Sequence, residues 1–370
     1  MLLPKQSGIL FSIFRFIGIA PYTRNTNIQY SRKIGHLIPT LLSPILSLCL
    51  TVFLFIFPHF KSLGPVHTII NFSHIWSIYF AIFSANYQCY FSTSAYRKAN
   101  YRIRQIGKRF SEKSARKHIY RFQRCYKIKI LIIFILFFGS QGLVFIEVWV
   151  MSMDSGLWSS LTASLVISSL RILYPIHISH TILYADILAL FIKSVNIQAQ
   201  NPTICSTSSQ FLRNIKSFHM ELWKLTVEIN DFFGIHLVFV IINSFIYNLY
   251  QMYWLFMAFQ LNWGLLAVVD GFVSLLYGSV SLFTLVESCQ SSKLEINLLV
   301  QNIEQIIFWT NDNLHLHQLK QEVLHQINVL PICISANQYF TIDRNFLATI
   351  TAGCCMYILI FVQFFLTVKE

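Results

Sequence analysis

Near the end of the chain, Tyr357, Gln363 and Phe364 sit in the apolar run MYILIFVQF, with Gln363 and Phe364 six and seven residues after the tyrosine. An amide inside a membrane-length segment finds no hydrogen-bond partner in hydrocarbon, so Gln363 must face protein or water. Three-and-four spacing puts Thr349, Gly353, Met356, Ile360, Gln363 and Thr367 on one helical stripe, beside an aromatic face of Tyr357, Phe361 and Phe364. Hydroxyls and an amide on one stripe suit a water-filled lumen, in which Met356 and Ile360 would form an apolar constriction that gates by dewetting. The same residue types also suit helix packing, with Thr and Gly allowing close approach and Gln bonding a neighbour. The stripe carries no acidic ring, so selectivity set by charged side chains is not expected.

A second set of residues could bind a small molecule. His67, His74, Trp76, Tyr79, Glu147, Trp149, Trp158, Tyr250, Tyr253, Trp254, Trp263 and Asp270 all fall toward one end of the apolar segments. Such rings form either an interfacial belt or an aromatic-lined pocket with a few polar groups. Tyr79, Trp76, Tyr250, Tyr253 and Trp254 are the pocket candidates. Asp270 joins them, because a carboxylate about 10 Å below a helix end needs a partner, water or ligand. Arg171, deeper in its segment, is expected to make a fixed contact with another helix or a backbone carbonyl. The sequon Asn71-Phe72-Ser73 lies too near the membrane to count as a glycosylation site.

The elements that must position these residues are membrane helices. The 370 residues are 55% hydrophobic and 12% charged, with 34 Phe. That charge density is about half that of a soluble domain. The apolar residues gather into seven segments long enough for a hydrocarbon core of roughly 30 Å. They run over 37–57, 66–90, 128–150, 157–180, 234–260, 263–288 and 345–367. The fourth keeps its apolar period up to Lys193. Of the 28 Lys and Arg residues, all but Lys61, Lys369 and Arg171 fall on one side of these spans. The positive-inside rule therefore predicts a cytosolic N-terminus and an extracellular C-terminus. The net charge of +13 needs no nucleic-acid partner, because the basic residues line the cytosolic face of the bilayer.

The predicted fold is an all-α membrane protein of seven transmembrane helices, whose cytosolic extensions form an anchor domain. It comprises a cytosolic N-terminal segment 1–36, spans one to four within 37–192 with a basic loop 91–127, and a cytosolic helical segment 193–233. Spans five and six occupy 234–288, a second cytosolic helical segment 289–344, the pore-lining span 345–367, and an extracellular tail 368–370. The cytosolic segments contain FLRNIKSFHMELWKLTVEIN and LEINLLVQNIEQIIFWTNDNLHLHQLKQEVLHQI, whose apolar periods imply helices packing on one another. The short apolar stretch Gly8 to Ala20 is interrupted by Arg15 and lacks a clear cleavage site, so it is expected to stay on the protein.

Reversed orientation separates the chain from G-protein-coupled receptors, as do the missing Asp-Arg-Tyr and Asn-Pro-x-x-Tyr motifs. The C-terminal pattern resembles that of insect gustatory receptors, seven-span relatives of the insect odorant receptors. Their hallmark is Thr-Tyr, five hydrophobic residues, then Gln-Phe. Here Tyr357, IleLeuIlePheVal, Gln363 and Phe364 match, and Met356 replaces the Thr. FRFIGIAPYTRN and IDRNFLATITAG are similar to the family's approaches to its first and last spans. The resemblance implies a tastant-gated, non-selective cation channel in the plasma membrane of chemosensory neurons. It would assemble as a tetramer with other gustatory receptor subunits, its seventh helices lining a shared pore. The gate would map onto Gln363 and Phe364. Sugar-sensing members tend to carry Glu after the motif Tyr; Ile358 stands there, which points to bitter or other non-sugar cues.

Two rival classes remain. One is a metabotropic-type receptor or an obligate co-receptor subunit. The other is a seven-span zinc hydrolase, which needs His and carboxylate ligands converging near the cytosolic face. The chain has His177 and His180 as HxxH, and His315 with His317, but neither HExxH nor His-x-x-x-His. It also lacks a GxSxG elbow and a glycine-rich phosphate loop. No enzyme activity, metal or cofactor is expected. The eight cysteines form no CxxC pair and read as small buried hydrophobes.

Overall fold

The computed structural model describes residues 65–109, 113–155, 171–199, 209–305 and 313–369. The N-terminal segment, the first expected span and the first part of the fourth lie outside these residues. The described residues form eight helices: α1 (Pro65–Phe91), α2 (Thr93–Arg109), α3 (Lys113–Ser155), α4 (Leu173–Ala199), α5 (Ser209–Gln260), α6 (Leu265–Glu304), α7 (Asn313–Val329) and α8 (Arg344–Lys369). Five of them, α3, α4, α5, α6 and α8, are long and apolar enough to cross a membrane.

Three helices are far longer than a bilayer requires. α5 has 52 residues, α3 has 43 and α6 has 40. At a rise of about 1.5 Å per residue, α5 reaches about 78 Å, more than twice the hydrocarbon thickness. Membrane and extramembrane parts therefore share continuous helices. The loop expected at 91–127 is itself helical, split between α2 and the start of α3.

α4 is the centre of the bundle. Every residue from Tyr174 to Ala189 is buried. α6, α3, α5 and α1 all pack against it, and α1 and α2 also lie along α5. Lipid tails are as apolar as Leu, so association in a membrane relies on close packing and polar contacts. Both are visible here. A Cβ on Gly278 of α6 would lie 2.6 Å from Tyr247 Cδ1 and 2.8 Å from Asn248 Oδ1, so only glycine admits this approach of α5. Lys129 of α3 donates to both carboxylate oxygens of Asp186 on α4, at 2.9 and 3.0 Å, and to Ser288 Oγ on α6 at 2.9 Å. One ammonium thus ties three helices. Arg102 of α2 bonds Glu228 of α5 at 2.7 Å.

Between α7 and α8 the chain forms a two-stranded antiparallel hairpin, Ser335–Ala336 with Phe340–Thr341, within a stretch expected to be helical. Its turn places Asn337 and Gln338 at φ of 50° and 63°. It rests on α5 at Gly234, where a Cβ would come within 3.0 Å of the Asn337 backbone. Asn230 of α5 completes the seat, donating to the Cys333 carbonyl at 3.0 Å and accepting from the Ser335 N–H at 3.1 Å.

Candidate functional site

α8 begins from a fixed root. The Asp343 carboxylate caps it by accepting the Phe346 N–H at 3.0 Å. That bond holds the Asp343 carboxyl below its usual range, and Lys293, 3.1 Å away, adds to the effect. Arg344 forms a bidentate pair with Glu287 of α6, at 2.7 and 2.8 Å. Above this root α8 touches its own chain through one face. Cys354 is buried, a Cβ on Gly353 would meet the Phe245 ring at 3.4 Å, and Tyr357 meets the same ring edge-on at 5.9 Å. Phe361 meets Tyr253 at 5.8 Å.

The flank beside this seam is exposed. Met356 is 55% exposed and Ile360 50% exposed, and Thr349 and Gln363 are exposed beside them. The expected stripe is thus divided from the aromatic face, except that Gly353 belongs to the packed seam. For Phe364 and Thr367, only their place on the helix is described.

The six pocket candidates fall into two groups. Trp76 and Tyr79 lie in a ladder of rings along α1, Phe72, Trp76, Phe80, Phe83 and Tyr87, whose Phe members and Tyr87 are exposed. This ladder turns outward, apart from Phe80, which stacks on Phe239 of α5. Tyr250, Tyr253 and Trp254 lie on α5, where Tyr250 meets Trp254 at 6.0 Å and Trp254 meets Trp263 at 5.1 Å. Asp270 on α6 accepts from Ser274 at 3.3 Å, and Ser274 meets Ser140 of α3 at 2.7 Å.

The residue that gathers the second group is Arg171. Its Nη2 donates to His74 Nε2 on α1 at 3.3 Å, the contact with another helix that its depth called for. His74 stacks on Tyr250, with centroids 4.3 Å apart and planes at 19°. A guanidinium only donates, so Nε2 of His74 accepts and its proton must sit on Nδ1. Among the described residues that buried Nδ1 has no acceptor, and Arg171 Nε is likewise without one. By sequence, His74 is one of many polar residues toward that end of the spans. The signal that singles it out is a histidine at the depth of an intramembrane arginine.

The two histidines of the HxxH pair meet different neighbours. His177 meets His236 of α5 at 5.2 Å, whereas His180 packs among Tyr184, Phe232 and Phe233. Among the described residues no group of three His, Cys, Asp or Glu is placed to hold a metal ion.

With this geometry in view, the comparisons decide the family. The model of the 7tm chemosensory receptor family matches residues 8–367. The chain belongs to the 7tm chemosensory receptor family. No curated protein shows a significant sequence match. Among solved structures, the insect olfactory receptor OR5 from Machilis hrabei is similar in fold, with a TM-score of 0.70 at 13% identity over 97% of this chain and 98% of that one. The same receptor in complex with eugenol gives a TM-score of 0.69 at 12% identity, over 96% and 98%. The chain is therefore a multi-pass membrane receptor of a chemosensory family, with a helical fold like that of an insect olfactory receptor.

Proposed function

We propose that this chain is a gustatory receptor subunit that acts as a tastant-gated, non-selective cation channel. It responds to bitter or other non-sugar cues in the plasma membrane of chemosensory neurons. The N-terminus is cytosolic, the C-terminus extracellular, and four subunits surround one pore. The observation that carries this reading is α8. Among the described residues it is the least buried of the five candidate spanning helices, and Met356, Ile360 and Gln363 are exposed on it. A polar-flanked apolar face left open in one chain suits a shared lumen with a dewetting gate.

α5 supports the link between ligand and gate. It carries Tyr250, which stacks on His74, while Tyr253 and Phe245 on the same helix meet Phe361 and Tyr357 of α8. A ligand that binds the two states of this seam differently shifts the gate by that difference in affinity. A solved relative of the same fold binds eugenol, which favours a small-molecule agonist here as well.

The test is agonist-evoked current in excised patches without added GTP. Gln363→Ala and Phe364→Ala should alter gating or permeation while surface expression persists. Unchanged currents in both variants would return the motif to ordinary helix packing. A requirement for GTP would favour a metabotropic receptor, and a C-terminal tag readable only after permeabilisation would reverse the orientation.

A further inference from the structure

α7 packs on the first turns of α5, and the two helices run parallel. Lys216 pairs with Glu322 at 2.7 Å, and one turn further along Gln326 donates to His219 Nδ1 at 3.1 Å. Beside this seam each helix carries a mostly polar stripe at three-and-four spacing. On α5 it comprises Arg213, Lys216, Ser217 and Met220, and on α7 His315, Gln318, Leu319, Glu322 and Gln326. The two stripes line one cleft of about 490 Å³, the size of a small-molecule site. Seams between helices are ordinarily closed by apolar side chains, so a cleft with this lining adds little to packing.

Its charges suit an anion. The Glu322 carboxylate accepts from the Lys216 ammonium, which holds that carboxyl below its usual range and leaves two N–H donors on Lys216. Among the described residues Arg213 has no hydrogen bond or ion pair, so its five donors are unclaimed. A guanidinium fork one turn from an ammonium matches the oxygens of a phosphate. With one cation free beyond the Lys216–Glu322 pair, the cleft suits a single phosphate monoester, of charge about −1.5 to −2. Glu322 repels anything longer in phosphates. The rest of the lining selects the body of the ligand. Ser217, Gln318 and His315 offer hydrogen bonds, and Gln326, fixed by donating to the Lys216 carbonyl at 3.0 Å, keeps an acceptor oxygen. No Phe, Tyr or Trp lines the cleft, so a nucleobase finds no ring to stack on.

We infer that this cleft binds a soluble phosphate monoester of a small polyhydroxylated metabolite, the sugar-phosphate class. The phosphate sits on Arg213 and Lys216, and the hydroxyls meet Ser217, Gln318, His315 and Gln326. An inositol lipid headgroup carries the same chemistry but does not reach. Arg213 lies 21 residues before position 234, where the fifth expected span begins, and that is about 30 Å of continuous helix. The site is separate from the agonist site, and only its cytosolic placement rests on the orientation proposed above.

The experiment measures binding to the full-length chain in phosphatidylcholine nanodiscs by ligand-induced thermal stabilisation. The probes are glucose 6-phosphate, fructose 6-phosphate and myo-inositol 1-phosphate, each beside its unphosphorylated parent, with inorganic phosphate and AMP for comparison. The best ester should bind at least about tenfold more tightly than its parent, than inorganic phosphate and than AMP, the scale of a hydrogen bond to a charged group. Arg213 is exposed, so Arg213→Gln should leave the fold intact and abolish the preference for the ester over its parent. Arg213→Lys, which keeps the charge and loses the fork, should retain part of it. Phosphatidylinositol 4-phosphate added to the nanodisc should leave binding of the ester unchanged. The inference is overturned if no ester outbinds its parent on the unaltered chain, a result that needs no variant to fold. Equal binding of the best ester to Arg213→Gln overturns it too. So do inorganic phosphate or AMP binding as tightly as the best ester, and competition by the lipid. None of these readouts involves current, so failure of the channel reading leaves them untouched.

Discussion

α4 and α8 are both apolar enough to cross a membrane, yet their surroundings are opposite. In the apolar window of α4, 94% of residues are buried; in that of α8, the more apolar of the two, 11% are. Apolarity does not decide which helix is enclosed, because lipid satisfies an apolar face as well as protein does. The difference lies in the polar residues. α4 carries Asp186, Tyr174 and Tyr184, each bonded to another helix: to Lys129, to Ser244 at 2.7 Å and to Asn100 at 3.0 Å. On α8, Thr349 and Thr351 return their hydroxyls to carbonyls of their own helix, at 3.0 and 2.9 Å. One helix is locked into its chain by side chains, while the other leaves much of its surface exposed.

Removing the lock should produce the largest effect. Lys129→Met leaves the Asp186 carboxylate, 9% exposed, without its ammonium partner. Breaking a buried pair from one side costs about 3 to 5 kcal/mol. A third of the Lys129 side chain remains accessible, so the lower end applies. Thermal unfolding in detergent should show that loss, and adding Asp186→Leu should recover most of it. A loss within about 0.5 kcal/mol would mean the carboxylate is hydrated, and α4 would no longer contrast with α8 in this way.

The corresponding change on α8 should leave stability alone and alter function. Met356→Ser with Ile360→Ser removes apolar side chains that touch little of their own chain, so unfolding should shift by no more than about 0.5 kcal/mol. Basal current should rise, because the apolar constriction becomes wettable. A large loss of stability with unchanged basal current would place these residues in a packed interface and remove the lumen reading.

The sequence made the helices legible but not their neighbours. The apolar periods of FLRNIKSFHMELWKLTVEIN and LEINLLVQNIEQIIFWTNDNLHLHQLKQEVLHQI implied helices, and among the described residues α5, α6 and α7 run through them. The TyrxxxxxGlnPhe spacing pointed to the family that the comparisons show. Trp76 and Tyr79 could not be told from Tyr250 and Trp254, since a ring in an outward-facing ladder and a ring packed between helices have the same composition. The hydrogen bond from Arg171 to His74 spans 97 positions, and no local pattern announces it. The hairpin at 335–341 escapes pattern reading because its strands are two residues long and its positive φ values fall on Asn337 and Gln338 rather than glycine.

The smallest effect belongs to the root of α8, where the two kinds of helix meet through α6. Asp343 caps α8 by accepting the Phe346 N–H, and this contact depresses its folded pKa. Its contribution is therefore complete above the unfolded value of about 3.9 and is lost as pH falls through the lower folded value. Asp343→Ala should cost about 1 kcal/mol at neutral pH, the usual worth of an N-cap. Asp343→Asn keeps an acceptor for the N–H but gives up the charge opposite Lys293, so it should cost a few tenths of that. Plotted against pH, the stabilities of the unaltered chain and the Asp343→Asn variant should converge only as pH falls through the depressed folded value, where the native carboxyl becomes protonated and the amide loses nothing. A constant gap between the two down to that range would show that shape, and not charge, holds the root. α8 would then be anchored mainly by the Arg344–Glu287 fork.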